Sequence, residues 1–271
     1  MNAELFLEQF VYVWQEYWQL MIFEGLKFTL VFTAVAVFMG VLLGIVVAIL
    51  KMSKSKIIRF LITVYIEVIR GTPILLQLYI FVFALPSMVP IKLSNEVWVA
   101  IALSINSSAY VSEIIRSGIQ AVDKGQTEAA RSLGLSQGQA MQKIILPQAV
   151  RNILPALANE FIMMLKETSL ASTFYIGDLM TSYLVIRGAT FIALPALLWV
   201  GIIYLCVTYP LSKLVGWFEK KMSTDNSYKK MPKHATYESG MIEGMGDSDD
   251  EPNSDLKAMY ATRNRKWKSG I

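Results

Sequence analysis

Glu160 and Glu167 stand seven residues apart in an otherwise apolar run, Ile153 to Leu179. A charged group inside a membrane-spanning helix costs about 2.5–3.5 kcal/mol on insertion scales and usually faces a cavity. Seven residues turn an α-helix by about 700° and raise it by roughly 10 Å. Both carboxylates then point nearly the same way, with Met164 between them and Lys166 on another face. Two aligned carboxylates an amino acid's length apart suit a cationic ligand, one holding an α-ammonium group and the other a guanidinium or ammonium. Two alternatives stay open at this point: a solvated Glu160 near the cytoplasmic end of the span, and a Glu167 paired with Lys166, Arg70 or another buried base. A second polar set, Ser104, Asn106, Ser107, Ser108 and Tyr110, interrupts the apolar run Val97 to Ile115. Asn106, Ser107 and Tyr110, with Gln77 one turn past a Gly71-Thr72-Pro73 break, are candidate ligands for a substrate, although helix packing is the commoner use of such residues.

Groups of this kind need apolar helices to hold them, and the chain supplies these. It is 54% hydrophobic and only 17% charged, well off the values for soluble domains. A span needs roughly 20 apolar residues, and five runs qualify: Lys27 to Leu50, Ile57 to Leu85, Val97 to Ile115, Ile153 to Leu179 and Phe191 to Phe218. Lys51, Lys54, Lys56 and Arg59 mark the first connection, and Arg116, Lys124, Arg131, Lys143 and Arg151 the third. The other connections hold only Lys92 and Arg187, and the first 26 residues hold neither Lys nor Arg. The positive-inside rule therefore puts the N-terminus outside and the C-terminus in the cytoplasm. The expected fold is an all-α multi-pass protein of the cell (inner) membrane with five transmembrane helices.

The ends differ from this middle. Residues 1–25 lack a basic leader and carry Glu4, Glu8, Glu16 and Glu24, so they are not read as a secretory signal. Tyr12, Trp14, Tyr17 and Trp18 suit an extracytoplasmic interfacial helix. Residues 26–222 form the expected transmembrane domain. From 223 to 271 the composition turns polar, which predicts a mostly disordered cytoplasmic tail. The single cysteine, Cys206, and the single histidine, His234, exclude an internal disulfide and argue against a Cys/His metal site.

One polar segment between spans is patterned more regularly than a plain connector needs. It reads EAARSLGLSQGQAMQKIILP from Glu128. Gln126 to Leu133 predicts a short helix with Thr127 as its cap and Ala129, Ala130 and Leu133 on a compact face. Gly134 ends it, Ser136 caps the next helix, and Pro147 stops that one. Glu128 and Arg131 offer polar contacts at the rim. Gly71 and Pro73, in the second run, predict a bend suited to a gate.

The segment resembles the EAA loop of ATP-binding-cassette importer permeases. Glu67-Val68-Ile69-Arg70-Gly71-Thr72-Pro73 with Gln77, Ser117-Gly118-Ile119, Gly125-Gln126 and Leu165-Lys166-Glu167-Thr168-Ser169-Leu170 resemble the polar amino acid branch of that family. The similarity covers roughly residues 20 to 220. Ser108 and Glu167 depart from it, standing where the family usually has Gly and Asp. The resemblance implies a type I importer permease fold in which residues 126–147 dock a cytoplasmic ABC ATPase. It also implies a second permease subunit, identical or similar, and an extracytoplasmic substrate-binding protein. In some basic amino acid permeases of the family, the positions matching Glu160 and Glu167 line a substrate pocket. No Gly-x4-Gly-Lys-Ser/Thr occurs, so ATP and magnesium are expected on the partner, with no cofactor in this chain, no catalytic residues, no metal and no nucleic acid partner. The expected cargo is a polar amino acid, with Arg, Lys or His favoured over Gln. A glutamine importer, an ATP-independent secondary carrier and a structural membrane adapter are the rival readings.

Overall fold

A computed structural model describes residues 2–222, which are helical throughout their regular structure, with no strand among them. The tail expected to be disordered, with His234, lies outside the described residues.

Helix α1 runs unbroken from Ala3–Lys51. A wide π turn at Leu20–Leu26 carries residues 3–19 directly into the first apolar run. The reason is tertiary. Val13 and Met21 are fully buried with Leu179, Ile186 and Val200. Trp199 stacks on both Phe10 and Trp14 at 4.4 Å, and its indole N–H donates to the Phe10 carbonyl at 2.8 Å. Aromatic spacing alone looks the same for a headgroup belt and for a packed stack.

Helix α2, Lys56–Gly71, meets α3, Ile74–Met88, at a bend of 106°. Thr72 is extended (φ −114°, ψ 147°), as the residue before a proline is driven to be. Helix α4, Asn95–Gln120, lies against α1 so closely that glycine is required where they touch. A Cβ on Gly40 would fall 2.6 Å from the Ser107 Cβ, and one on Gly44 2.6 Å from Val111. The main core includes Phe32 of α1, Leu78 of α3, and Trp98 and Val99 of α4, packed with Met164 and Phe174 of the fourth run.

Helix α5, Lys124–Ser132, is capped by Asp123, not Thr127; the Asp123 carboxylate accepts from the Gly125 N–H at 2.6 Å. Gly134 has φ +83°, and Ser136 and Gln139 form a reciprocal capping box. Helix α6 begins at Gln137–Ala140, widens into a π turn at Met141–Ile145 and continues as Leu146–Glu167. Pro147 therefore does not stop it. The π turn lets the Leu146 N–H reach the Met141 carbonyl, easing the turn in which proline offers no donor.

The fourth run does not extend helically to Leu179. Helix α6 ends at Glu167 and tightens into a 3₁₀ turn, Thr168–Phe174. The Thr168, Ser169 and Ser172 hydroxyls take the carbonyls of Leu165, Lys166 and Ser169, offering that backbone an alternative to the α-helical ladder. Tyr175 and Gly177 then adopt left-handed conformations, and Asp178 caps α7, Leu179–Thr190. The last helix is α8, Leu194–Met222. By length and apolarity three helices (α1, α4 and α8) qualify as spans among the described residues, or four with the bent pair α2–α3 counted as one. Helix α6 falls outside that count, its apolar residues interrupted by Gln148, Arg151, Asn152, Asn159 and Glu160.

Candidate translocation and coupling sites

Helices α4 and α6 bring the polar positions of the third and fourth runs together. Glu160 is only 7% exposed, and its carboxylate accepts from the Ser107 hydroxyl at 3.1 Å. It is thus a buried group held from the neighbouring helix, not a solvated helix end. Glu167 is half-buried and lines a shallow pocket of about 340 Å³ with Met163, Lys166, Ser169 and Leu170. Lys166 lines that pocket with Glu167, while Glu160 does not. Among the described residues neither Glu160 nor Glu167 is within ion-pair distance of a cation. Arg70, one of the bases that could pair with Glu167, is engaged by Glu113 and Tyr110 instead.

Gln77 and Asn106 are buried and bonded to each other. The Gln77 amide NH₂ donates to the carbonyls of Ile69 (2.7 Å) and Thr72 (3.2 Å) and to the Thr72 hydroxyl (2.9 Å). Its carbonyl accepts from the Asn106 amide at 2.9 Å, leaving the Asn106 Oδ1 without a partner. Ser107, the next residue along α4, is the one that holds Glu160. Tyr110 is half-buried, with the Arg70 guanidinium 5.3 Å from its ring centre. Cation–π contact of this kind anchors the end of α2 at the Gly71-Thr72-Pro73 break.

Glu113 is the residue that sequence reasoning passed over. Its carboxylate gathers Lys51 from the end of α1 (2.6 Å), Arg116 one turn along α4 (2.7 Å) and Arg70 from the end of α2 (3.8 Å). One negative charge thereby pins three helices. The Glu113–Arg116 spacing of three is visible in the sequence, but it reads as an ordinary helical pair; only the fold brings in the other two.

Between α4 and α6 the EAA segment stands outward. Glu128 and Ala129 are exposed, Ala130 is buried, with α5 packed on the start of α6, and Leu133 is 83% exposed. Gly134 turns the chain at its left-handed φ, and the Arg131 guanidinium ties the corner by donating to the Leu135 carbonyl at 3.0 Å.

Along this chain the long helices turn apolar side chains outward while Glu160, Ser107, Asn106 and Gln77 are buried between them, as polar groups within a membrane span must be. It is built as a membrane transport permease. The chain belongs to the family of the binding-protein-dependent transport system inner membrane component, which residues 40–224 match. It is 40% identical over 206 residues to the arginine transport system permease protein ArtQ of Bacillus subtilis (strain 168), covering 76% of this chain and 94% of that protein. It is 39% identical over 203 residues to a putative glutamine transport system permease protein of Rickettsia bellii (strain RML369-C), covering 75% and 93%. A chain of the crystal structure of an amino acid ABC transporter with histidines superposes with a TM-score of 0.74 at 46% identity, covering 76% and 95%. An inward-facing methionine ABC transporter chain shares the fold at a TM-score of 0.63 and 16% identity, covering 75% and 96%. The protein is a multi-pass permease subunit of an ABC importer for amino acids.

Proposed function

We propose that this permease carries cationic amino acids (Arg, Lys or His) and that Glu160 and Glu167 are the groups that select them. The observation that carries this is a pair of partly or wholly buried carboxylates with no cation of the protein's own within ion-pair distance among the described residues. A buried carboxylate left without a counter-charge is costly, and a guanidinium or ammonium from the solute supplies one. Ser107 orients Glu160, and Tyr110 and Asn106 lie on the same helix within a turn. The ATPase partner docks on residues 126–147, where the exposed Leu133 and Glu128, flanked by Ala129, Ala130 and Gly134, meet it; ATP and magnesium are bound there and not in this chain. A second permease subunit completes the path, an extracytoplasmic binding protein delivers the solute, and the N-terminus lies outside with the C-terminus in the cytoplasm. Counting α6 with the apolar spans gives five crossings.

The test is uptake by the reconstituted complex with Glu160→Gln, Glu167→Gln and the pair. Loss of arginine uptake in the single variants, with arginine no longer competing, supports the reading. Intact arginine uptake in the double variant refutes it. Uptake of glutamine, uncompeted by arginine, in the natural chain assigns the pathway to neutral amides instead.

A further inference from the structure

The second span is broken at a place where its backbone cannot close its own hydrogen bonds. In an uninterrupted α-helix the Ile69 carbonyl would accept from the N–H of residue 73. Residue 73 is proline and has none. The Gln77 amide, one turn on, occupies that role: it donates to the Ile69 carbonyl at 2.7 Å and also reaches the Thr72 carbonyl and hydroxyl. Beside it the Thr72 hydroxyl donates to the Val68 carbonyl at 2.8 Å. Two side chains therefore close the carbonyl end of α2, and each comes from the residues that make or succeed the break.

We propose that Gln77 is the positioning residue of this hinge, a surrogate backbone donor that holds the 106° bend and ties it to the substrate path through Asn106. Gln77 is 5% and Asn106 3% exposed, so neither competes with water for its partner. The orientation of both amides is fixed by the pattern, because only the NH₂ of Gln77 can face three acceptors. Its carbonyl then takes the Asn106 NH₂, and Asn106 adjoins Ser107, which donates to Glu160. A change in the bend moves Gln77, and Gln77 pulls on the helix that carries the Ser107 hydroxyl. The unpaired Asn106 Oδ1 marks where this chain of bonds stops short of full satisfaction. The onward link to Glu160 rests on the substrate reading above; the closure of the break does not.

Gln77→Leu removes all four of these Gln77 bonds, and Asn106→Leu removes only the onward one. In the complex reconstituted with its ATPase, Gln77→Leu is expected to lower maximal uptake about tenfold, the scale of one buried hydrogen bond left unmade. The concentration for half-maximal uptake changes little, and more ATP is consumed per amino acid moved. Spin labels at the exposed Ile57 of α2 and Met88 of α3 read the bend itself: their distance distribution is expected to broaden in Gln77→Leu and to stay as narrow as the natural chain's in Asn106→Leu. The proposal is overturned if Gln77→Leu transports normally, or if its distance distribution matches the natural chain's. Should Gln77→Leu fail to assemble, the same two readouts on Gln77→Glu, which keeps the length and an oxygen but not the NH₂ donor, decide the matter in the same way. The readout uses whichever of arginine or glutamine the natural chain carries, so a failure of the cationic assignment leaves this result intact.

Discussion

Gly40→Ala is the smallest change that reaches the site through packing alone. Its new Cβ would stand 2.6 Å from the Ser107 Cβ and 2.7 Å from the Ser107 hydroxyl oxygen. Non-bonded carbons rest at about 3.5–4.0 Å, so α1 and α4 must separate by roughly 1 Å. Ser107 is displaced by a similar amount, and its 3.1 Å bond to Glu160 stretches beyond hydrogen-bond reach. Overpacking costs about 1–3 kcal/mol. The helix propensity gained over glycine returns about 1 kcal/mol, leaving a net loss of stability of at most ~2 kcal/mol. The bond to a charged acceptor is worth about 1.5–3 kcal/mol, so the half-saturating amino acid concentration should rise at least about tenfold. Gly201→Ala is the control, because a Cβ there meets nothing within 4 Å. Uptake kinetics of both variants in proteoliposomes decide the matter. If Gly40→Ala and Gly201→Ala have the same half-saturation, the close approach does not position Ser107 and the reasoning fails.

The charge cluster makes a second prediction. Glu113→Gln should destabilise the detergent-solubilised chain, and the double variants with Lys51→Gln and Arg116→Gln should show coupling of about 1 kcal/mol, kept small because these side chains are 16–40% exposed; additive denaturation midpoints would show that the pairs carry no energy. Asp178→Ala removes a buried cap that accepts from the Met180 and Thr181 N–H groups. It should cost about 1–2 kcal/mol and speed amide exchange across residues 179–190, while unchanged exchange there would deny the cap its role. Trp199→Phe keeps a ring but loses the donor to the Phe10 carbonyl. Exchange at residues 3–19 should rise, and equal protection in both forms would mean that stacking alone holds the N-terminal helix.

What could be read from the residues was whatever local chemistry dictates. A glycine before a capping serine marks the corner at Gly134 and Ser136, and Gly71-Thr72-Pro73 forces a break wherever it falls in a helix. The carboxylates at Glu160 and Glu167 stand out because charge is scarce among apolar neighbours. Tertiary partners decided the rest. Nothing in the first 25 residues announces that Trp199 will stack on Phe10 and Trp14, 185 or more positions away in the chain. Gln77 reads as a polar group in a pore until the Ile69 carbonyl is seen to lack its donor. The end of α6 at Glu167 depends on three hydroxyls each choosing a nearby carbonyl, a competition that an apolar-run count does not register. Glu113 was silent because two of its three cations, Lys51 and Arg70, come from segments that only folding makes neighbours.

The unbroken first helix has a mechanical corollary. Forty-nine residues at about 1.5 Å each make a rod of roughly 70 Å, more than twice the thickness of a hydrocarbon core. Its Lys51 end is clamped by ions, its N-terminal stretch is gripped by indole rings at Trp14, and it bears on α4 at Gly40 between them. Such a beam behaves as a seesaw: a tilt imposed at one water phase reappears, reversed, at the other. Only the widened turn at Leu20–Leu26 offers it a place to give.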